Sequence, residues 1–142
     1  MSPCPSWTNF FDRQMRILLD THVLLWWRAD DPRLPRSAER LIMNPRNEVF
    51  FSVVSLWEMA IKRGLGKLEF PGSLTEFAAG LSTNQGFLFL PLEVSHLERL
   101  ERLPRHHRDT FDRLLIAQTF ELAGAALTND PAWKRYRVRT RW

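Results

Sequence analysis

The sequence is poor in cysteine, with Cys4 as the single example among 142 residues. One cysteine can form neither an internal disulfide nor a cysteine-based metal site, which fits a cytoplasmic protein. Apolar runs are also short, since residues 23–27 (VLLWW) fall far below the roughly 20 residues that cross a membrane. A glycine-rich phosphate loop of the GxxxxGK[ST] type is absent as well. These absences predict no membrane association and argue against a specialist for small phosphorylated substrates.

The beginning of the chain also lacks a recognisable pattern. Residues 1–14 have neither the basic start nor the apolar core of a signal peptide. Because a clean strand pattern begins only at Met15, we expect residues 1–14 to be a non-native or disordered extension. Residues 15–142 are enough for one domain with its own core. The composition, 44% hydrophobic and 25% charged, is that of an ordinary globular domain.

The chain is basic, with a net charge of +4 and a pI near 10.0. Its basic residues cluster late in the sequence, at Arg105, Arg108, Arg113, Lys134, Arg135, Arg137, Arg139 and Arg141. Such a charge balance suits a polyanionic partner. A solvated basic face is the simpler explanation of the cluster taken alone.

Short apolar runs alternate with helical patterns from Met15 onward. The predicted strands are residues 16–20, 48–52, 86–92, 125–128 and 138–142. The predicted helices are residues 21–28, 35–43 (or 37–43), 53–63, 73–81, 95–103 and 112–124, with a short helix through Trp133. Because the strands are continuous apolar runs, they predict a parallel sheet covered by helices, a three-layer α/β domain. In such sheets, sites form beyond the carboxyl ends of the strands.

Four acids are expected at that edge of the sheet. Asp20 ends the first strand, and Asp130 closely follows the strand at residues 125–128. Glu58 lies early in the helix that follows the second strand. Asp112 opens a later helix, and the loop before it must return it to the same side. Four neighbouring carboxylates repel one another and resist full ionisation unless a cation is present.

Each acid also has a purely structural explanation. These explanations are a helix cap by Asp20, a capping box of Asp109 with Asp112, a box of Glu58 with Ser55 or its ion pair with Lys62, and a cap by Asp130 before Pro131. Taken one acid at a time, the structural explanation is preferred. The combination of four acids is what favours a site.

Carboxylate oxygens without thiolates favour Mg²⁺ or Mn²⁺ over zinc. Such an ion orients a water, lowers its pKa and stabilises charge on a phosphate, so the expected reaction is phosphodiester hydrolysis. Asp20 and Asp112 are the expected primary ligands, with Asp130 completing the site directly or through water. Glu58 would tune or deprotonate the water. The side chains expected to hold the ligands or phosphate oxygens are Thr21, Ser55, Thr128 and Asn129.

His106 and His107 are weaker candidates for acid–base groups, because loop histidines are more often surface residues.

Five motifs in this order resemble PIN-domain ribonucleases, above all the VapC-type toxins of bacterial type II toxin–antitoxin systems. They are residues 19–27 (LDTHVLLWW), 55–62 (SLWEMAIK), 65–68 (LGKL), 107–118 (HRDTFDRLLIAQ) and 127–130 (LTND). The resemblance spans residues 15–142 and implies a PIN domain with a parallel sheet of about five strands. Many relatives have proline where this chain has Thr110.

The resemblance also implies an activity and partners. It implies a Mg²⁺-dependent endoribonuclease whose four acids match Asp20, Glu58, Asp112 and Asp130. It further implies a homodimer and a cognate antitoxin whose tail lies in a groove and blocks the site. Trp26 and Trp27 could contribute to that groove, although a core position is the more usual one for either residue.

Two other functions remain open at this point. The chain could be a catalytically silent PIN scaffold that binds nucleic acid or protein, although the presence of all four acids argues against it. It could also be a metal phosphohydrolase that acts on DNA or on a small substrate. Basic residues near the acids would contact the phosphate backbone and not the bases, so the sequence predicts no particular RNA.

Overall fold

The computed structural model describes residues 14–142. The expected extension over residues 1–14 therefore lies, except for Gln14, outside the described residues. The strands are β1 (Arg16–Leu19), β2 (Glu48–Ser52), β3 (Leu88–Leu90), β4 (Ala125–Leu127) and β5 (Thr140–Arg141). The helices are α1 (Thr21–Ala29), α2 (Arg36–Met43), α3 (Val53–Gly64), α4 (Leu74–Thr83), α5 (Val94–Arg102) and α6 (Thr110–Leu122), with a 3₁₀ helix at Pro131–Tyr136.

The five strands form one sheet in the order β3-β2-β1-β4-β5, and every neighbouring pair is parallel. The central strand β1 places Ile17 opposite Val49 on one side and Ala125 on the other. Ile17 and Leu19 belong to one buried cluster, whereas Leu18 belongs to a second. Because adjacent side chains of a strand point to opposite faces, each face of the sheet has its own core. The predicted three-layer α/β architecture is confirmed.

Both cores are closed by helices. On one face, the buried residues come from α1, α2, α3 and α4, with Leu24 and Leu81 among them. On the other face, they come from the start of α3, from α6 and from the 3₁₀ helix, where Trp133 is fully buried. No helix within residues 14–142 combines the length and apolarity needed to cross a bilayer.

Four of the five predicted strands are shorter in the structure. The strands predicted at residues 16–20 and 125–128 each lose their last residue, and two others shorten more. The strand expected at residues 86–92 is reduced to three residues, because Gly86 adopts a positive φ of 71° and Pro91 has no amide hydrogen for the ladder. The strand expected at residues 138–142 is reduced to two residues. It does lie at the edge of the sheet, as predicted.

The helix α3 does not bury the face that carries Val53, Trp57, Ala60 and Gly64 at helical spacing. Trp57 on this face is 49% exposed. The buried residues are instead Val54, Ser55, Glu58 and Met59. This orientation carries Ser55 and Glu58 inward, toward the carboxyl end of β1.

The helix α6 begins at Thr110, two residues earlier than predicted. Asp109 is its N-cap, and its Oδ1 accepts hydrogen bonds from the amides of Phe111 at 2.9 Å and Asp112 at 3.3 Å. The helix ends where Ala123 adopts a left-handed conformation with φ of 55°. The cap fixes Asp112 in the first turn, facing the ends of β1 and β4.

Candidate metal centre

Asp20, Glu58, Asp112 and Asp130, which we call the acid edge, lie near the carboxyl ends of the parallel strands. Their electrostatic interaction is evident at Asp112. Burial, together with the charges of Asp20, Asp109, Glu58 and Asp130, raises the pKa of Asp112 to about 8. The fold therefore brings the four acids within range of one another, although they are far apart in sequence.

Asp20 combines a structural role with a position in the acid edge. Its Oδ1 accepts a hydrogen bond from the amide of His22 at 3.3 Å and so caps α1, as its sequence position suggested. Its Oδ2 accepts a hydrogen bond from the hydroxyl of Thr128 at 2.7 Å. Burial raises the pKa of Asp20, since the side chain is only 5% exposed. Asp20 can therefore cap α1 and belong to the acid edge at once, because the cap uses only Oδ1.

Glu58 is buried, with 3% exposure. Its Oε2 forms an ion pair with Lys62 Nζ at 2.7 Å, which is the predicted i,i+4 pair, and this contact raises the pKa of Lys62. Its Oε1 is buried without a hydrogen-bond partner among residues 14–142. Burying a carboxylate oxygen without a hydrogen bond costs free energy, and a bound cation would remove that cost. The alternative box with Ser55 does not form, because the N-cap of α3 is Ser52, whose Oγ accepts from the amide of Val54 at 3.0 Å. Ser55 lies inside the helix, and its hydroxyl oxygen accepts from Thr21 Oγ1 at 2.9 Å.

The expected capping box of Asp109 with Asp112 forms only in part. Asp109 caps the helix, but its own amide donates to Nδ1 of His107 at 3.0 Å and not to Asp112. The carboxylate of Asp112 is therefore not used by the helix start. It faces His107 and Asp130 instead.

Asp130 caps the 3₁₀ helix through Oδ1, which accepts from the amide of Ala132 at 2.9 Å. Its own amide donates to the hydroxyl of Thr128 at 3.1 Å, so Thr128 contacts both Asp20 and Asp130. Asp130 Oδ2 remains directed toward His107, at 3.5 Å from Nε2. One hydroxyl thus joins two members of the acid edge.

His107 is the site residue that the sequence analysis undervalued. Its Nε2 lies 3.0 Å from Asp112 Oδ2, and its side chain is 20% exposed. His107, Asp112 and Asp130 each offer one ligand atom, and these atoms lie within 4.8 Å of one another. The neighbouring His106 is exposed, as expected, and its ring packs edge-on against Tyr136 at 5.1 Å. The sequence contains no signal that separates the two histidines, because the distinction arises from the path of the loop.

The four polar residues expected to support the acids differ in their placement. Thr21 and Ser55 are buried and hydrogen-bonded to each other, and Thr128 is bonded to Asp20. Asn129 is exposed, and its side chain makes no hydrogen bond within the described part of the chain. Asn129 lines a cavity of about 230 Å³ together with Asp130. Thr128 therefore has the most direct contact with the acids.

The acid edge has the properties of a site for a hard divalent cation. The donors are carboxylate oxygens, one of them an unsatisfied buried atom on Glu58. The raised pKa of Asp112 means that its charged form is unfavourable without a compensating positive charge. Asp20 and Glu58 lie outside the 4.8 Å group of His107, Asp112 and Asp130 but contribute charge to it. The residues present thus fit a cation bound through oxygen.

Comparison with known proteins gives a family and a fold. The family model described as PIN domain matches residues 17–138. No match was found among curated protein sequences. The structure of VapBC2 from Rickettsia felis bound to a DNA fragment from their promoter is similar, with a TM-score of 0.64, 15% identity and coverage of 89% of this chain and 98% of that chain.

Two further solved structures have the same fold. VapBC-1 from nontypeable Haemophilus influenzae matches with a TM-score of 0.60 and 14% identity, covering 89% of this chain and 97% of that chain. VapBC-5 from Mycobacterium tuberculosis, a member of the VapBC family of toxin–antitoxin systems, matches with a TM-score of 0.53 and 20% identity, covering 85% and 90% of the two chains. At these identities the likeness concerns the fold.

Proposed function

The chain belongs to the PIN-domain family, and on this premise we propose that it is a VapC-type toxin, an endoribonuclease that hydrolyses RNA phosphodiester bonds with Mg²⁺ or Mn²⁺. The observation that carries this proposal is the buried acid edge, in which the pKa of Asp112 is raised to about 8 by burial and by neighbouring carboxylates. Two buried acids, Asp20 and Glu58, and two half-buried ones, Asp112 and Asp130, repel one another at this edge. Helix capping by Asp20 and Asp130 does not account for Asp112 or for the free oxygen of Glu58 within the described residues.

Each member of the acid edge has a proposed role. Asp20 and Asp112 are the primary ligands of the cation, and Asp130 completes its coordination directly or through water. Glu58 tunes or deprotonates the attacking water, and its Oε1, which has no hydrogen-bond partner in the described part of the chain, supports this role. When bound, the cation lowers the pKa of that water and stabilises negative charge on the phosphate.

The surrounding polar residues hold these groups in place. The hydroxyl of Thr128 orients Asp20, and Lys62 fixes one oxygen of Glu58 so that the other is free for the site. Thr21 and Ser55 fill the space between α1 and α3 with a mutual hydrogen bond. A carboxylate held in this way needs less reorganisation when it binds a cation.

RNA is the proposed substrate because basic residues adjoin the acid edge. Lys134 and Arg141 line the same cavity as Asp130 and Asn129, at the carboxyl end of β4. Lysine and arginine side chains in such positions contact phosphate oxygens without reading the bases. The net charge of +4 favours the approach of a polyanion.

A cognate antitoxin and a second copy of the chain are the proposed protein partners, in the cytoplasm. The similarity of the fold to VapBC complexes supports this part of the proposal. A cavity of about 560 Å³ next to Lys62, lined by Trp26 and Phe70 among others, offers a groove for an antitoxin tail. Trp27 lies elsewhere, with its ring 6.0 Å from that of Phe87.

The substitution Asp112→Asn tests the proposed nuclease activity. It keeps the size of the side chain but removes the charge that a cation requires. We expect RNA cleavage to fall by more than about 100-fold. Replacing residues that only hydrogen-bond to metal ligands already lowers metal affinity or activity by about 10- to 100-fold, and Asp112 is proposed to be a ligand itself. The measurement is cleavage of total RNA by the purified protein, with circular dichroism as the check on folding.

Glu121→Gln is the matched control for this experiment. Glu121 lies on the same helix, at its far end, where it pairs with Arg99 on the surface. This variant should cleave like the wild type. If Asp112→Asn folds and cleaves RNA at the wild-type rate, the proposed mechanism is wrong. If the wild type binds RNA without cleaving it, the chain is a silent binding module.

A further inference from the structure

Both ring nitrogens of His107 are engaged in the structure. Nδ1 receives the backbone amide of Asp109 at 3.0 Å. Nε2 lies 3.0 Å from Asp112 Oδ2 and 3.5 Å from Asp130 Oδ2. The ring therefore lies between a backbone donor and two carboxylates of the acid edge.

The partner of Nδ1 determines where the ring carries its proton. A backbone amide can only donate, so Nδ1 must use its lone pair to accept. The ring then carries its hydrogen on Nε2, and the group facing the two carboxylates is an N–H donor. A nitrogen in this state has no lone pair for a metal ion.

The loop that carries His107 is fixed by contacts of its backbone before and after the histidine. The amides of His106 and His107 donate to the hydroxyl of Tyr136, at 3.1 Å and 2.7 Å. Tyr136 is 5% exposed and belongs to the core that contains Leu18 and Trp133. Asp109 is held as the N-cap of α6. A change of tautomer would break the bond between Asp109 and His107 that this geometry supports.

We propose that His107 is a positioning residue and not a metal ligand. Its Nε2–H faces Oδ2 of Asp112 and Oδ2 of Asp130 and fixes the orientation of both carboxylates. The centre then binds its cation through oxygen atoms alone. The inference rests on the proposed function, because it concerns the same cation. It excludes the histidine from the ligands although its ring nitrogen lies within 4.8 Å of candidate ligand atoms on Asp112 and Asp130. A centre of oxygen ligands favours Mg²⁺ and Mn²⁺, whereas a nitrogen ligand would shift the preference toward zinc.

The tautomer of His107 is measured directly by nitrogen NMR of the imidazole in the metal-free wild-type protein. We expect the neutral ring to carry its hydrogen on Nε2, with Nδ1 unprotonated. A hydrogen on Nδ1 would overturn the proposal, because Nε2 would then be free to bind a metal ion. This experiment needs no cleavage activity and no variant.

Metal selectivity separates a positioning role from ligation. Calorimetric titrations with Mn²⁺ and with Zn²⁺ compare the wild type with His107→Ala. If the substitution removes only a positioning contact, the affinities for Mn²⁺ and Zn²⁺ should fall by a similar factor, about 10- to 100-fold. A lost nitrogen ligand would instead weaken Zn²⁺ far more than Mn²⁺, and that result would refute the proposal.

Two further variants serve as controls for His107→Ala. His107→Gln keeps an N–H donor at a reach similar to that of Nε2, so it should recover part of the affinity for both ions. His106→Ala removes the exposed neighbouring ring and should bind both ions like the wild type. If His106→Ala weakens binding as much as His107→Ala does, the effect belongs to the loop and the proposal fails.

Pulsed electron paramagnetic resonance of bound Mn²⁺ distinguishes failure of this inference from failure of the proposed function. We expect Mn²⁺ bound to the wild type to show no coupling to a directly bonded imidazole nitrogen. Such a coupling would overturn the role given to His107 while supporting the metal centre. Absence of any Mn²⁺ binding by the wild type would overturn the metal centre itself, and the inference with it.

Discussion

At the scale of single residues, the carboxylates of this protein divide their two oxygens between folding and the site. Asp20 caps α1 with one oxygen and receives Thr128 with the other. Asp130 caps the 3₁₀ helix with one oxygen and faces His107 with the other. A structural explanation of an acid therefore does not exclude a chemical role, because a carboxylate has enough acceptor capacity for both.

The buried carboxyl of Asp112 should make stability depend on pH. Its pKa is raised from 3.8 to about 8, mainly by burial. Between these values, the folded protein keeps a proton that the unfolded chain has lost. The free energy of unfolding in a chelator should therefore fall as pH rises from about 4 to about 8, by at most about 1.4 kcal/mol per pH unit for this one group. Urea unfolding at several pH values measures it.

Asp112→Asn is the control for the pH dependence, since it removes the titrating group and should flatten the curve. The raised pKa of Asp20 acts in the same direction and should leave a smaller slope. Mg²⁺ or Mn²⁺ should bind more tightly as pH rises toward about 8, because the cation binds the charged carboxylate. Identical curves for the wild type and Asp112→Asn would contradict the assignment of this group.

At the scale of elements, the sequence predicted the strands and the placement of the acids but not every buried face. The apolar runs of β1, β2 and β4 are clear because these strands are buried on both faces. Asp20, Glu58 and Asp130 follow strands directly, so the parallel topology alone places them at one edge. The position of Asp112 depended on the return path of a loop, which periodicity does not reveal.

The face of α3 shows why the remaining detail was not predictable. The helix has apolar residues on both sides, and its buried side includes the polar Ser55 and Glu58. The exposed Trp57 packs edge-on against Phe111, with ring centroids 5.0 Å apart. That contact joins elements distant in sequence. The choice of Phe111 as the partner of Trp57, like the orientation of His107, is decided by tertiary packing and leaves no pattern in the local sequence.

The turn between α6 and β4 should be intolerant of a side chain at Gly124. A Cβ at this position would lie 2.3 Å from the carbonyl oxygen of Arg16, which belongs to β1. Gly124→Ala must therefore displace backbone of the central strand. We expect it to lower the free energy of unfolding by about 1–3 kcal/mol. Urea denaturation monitored by circular dichroism measures this change.

Gly80→Ala is the matched control for the turn. Gly80 lies within α4, and the nearest atom to an added Cβ is Asn84 Nδ2 at 3.9 Å. Alanine should raise stability there by up to about 1 kcal/mol, because it favours a helix more than glycine does. Equal effects of the two substitutions would mean that the close approach of Gly124 to Arg16 is not a constraint.

At the scale of the whole molecule, the sheet and its two cores bring the acids together at one edge. The acids come from four separate segments of the chain, and no two of them are close in sequence. The edge depends on the pairing of β1 with β4, whose register places Leu19 opposite Leu127. The four acids are therefore close to one another only in the folded protein.

The central claim is that this edge binds a divalent cation and uses it to cleave RNA. The most direct test is cleavage of RNA by the purified wild-type protein, first in excess chelator and then after Mg²⁺ or Mn²⁺ is added back. We expect cleavage to be lost in the chelator and to return with either ion. Cleavage that proceeds equally well in excess chelator would contradict the central claim.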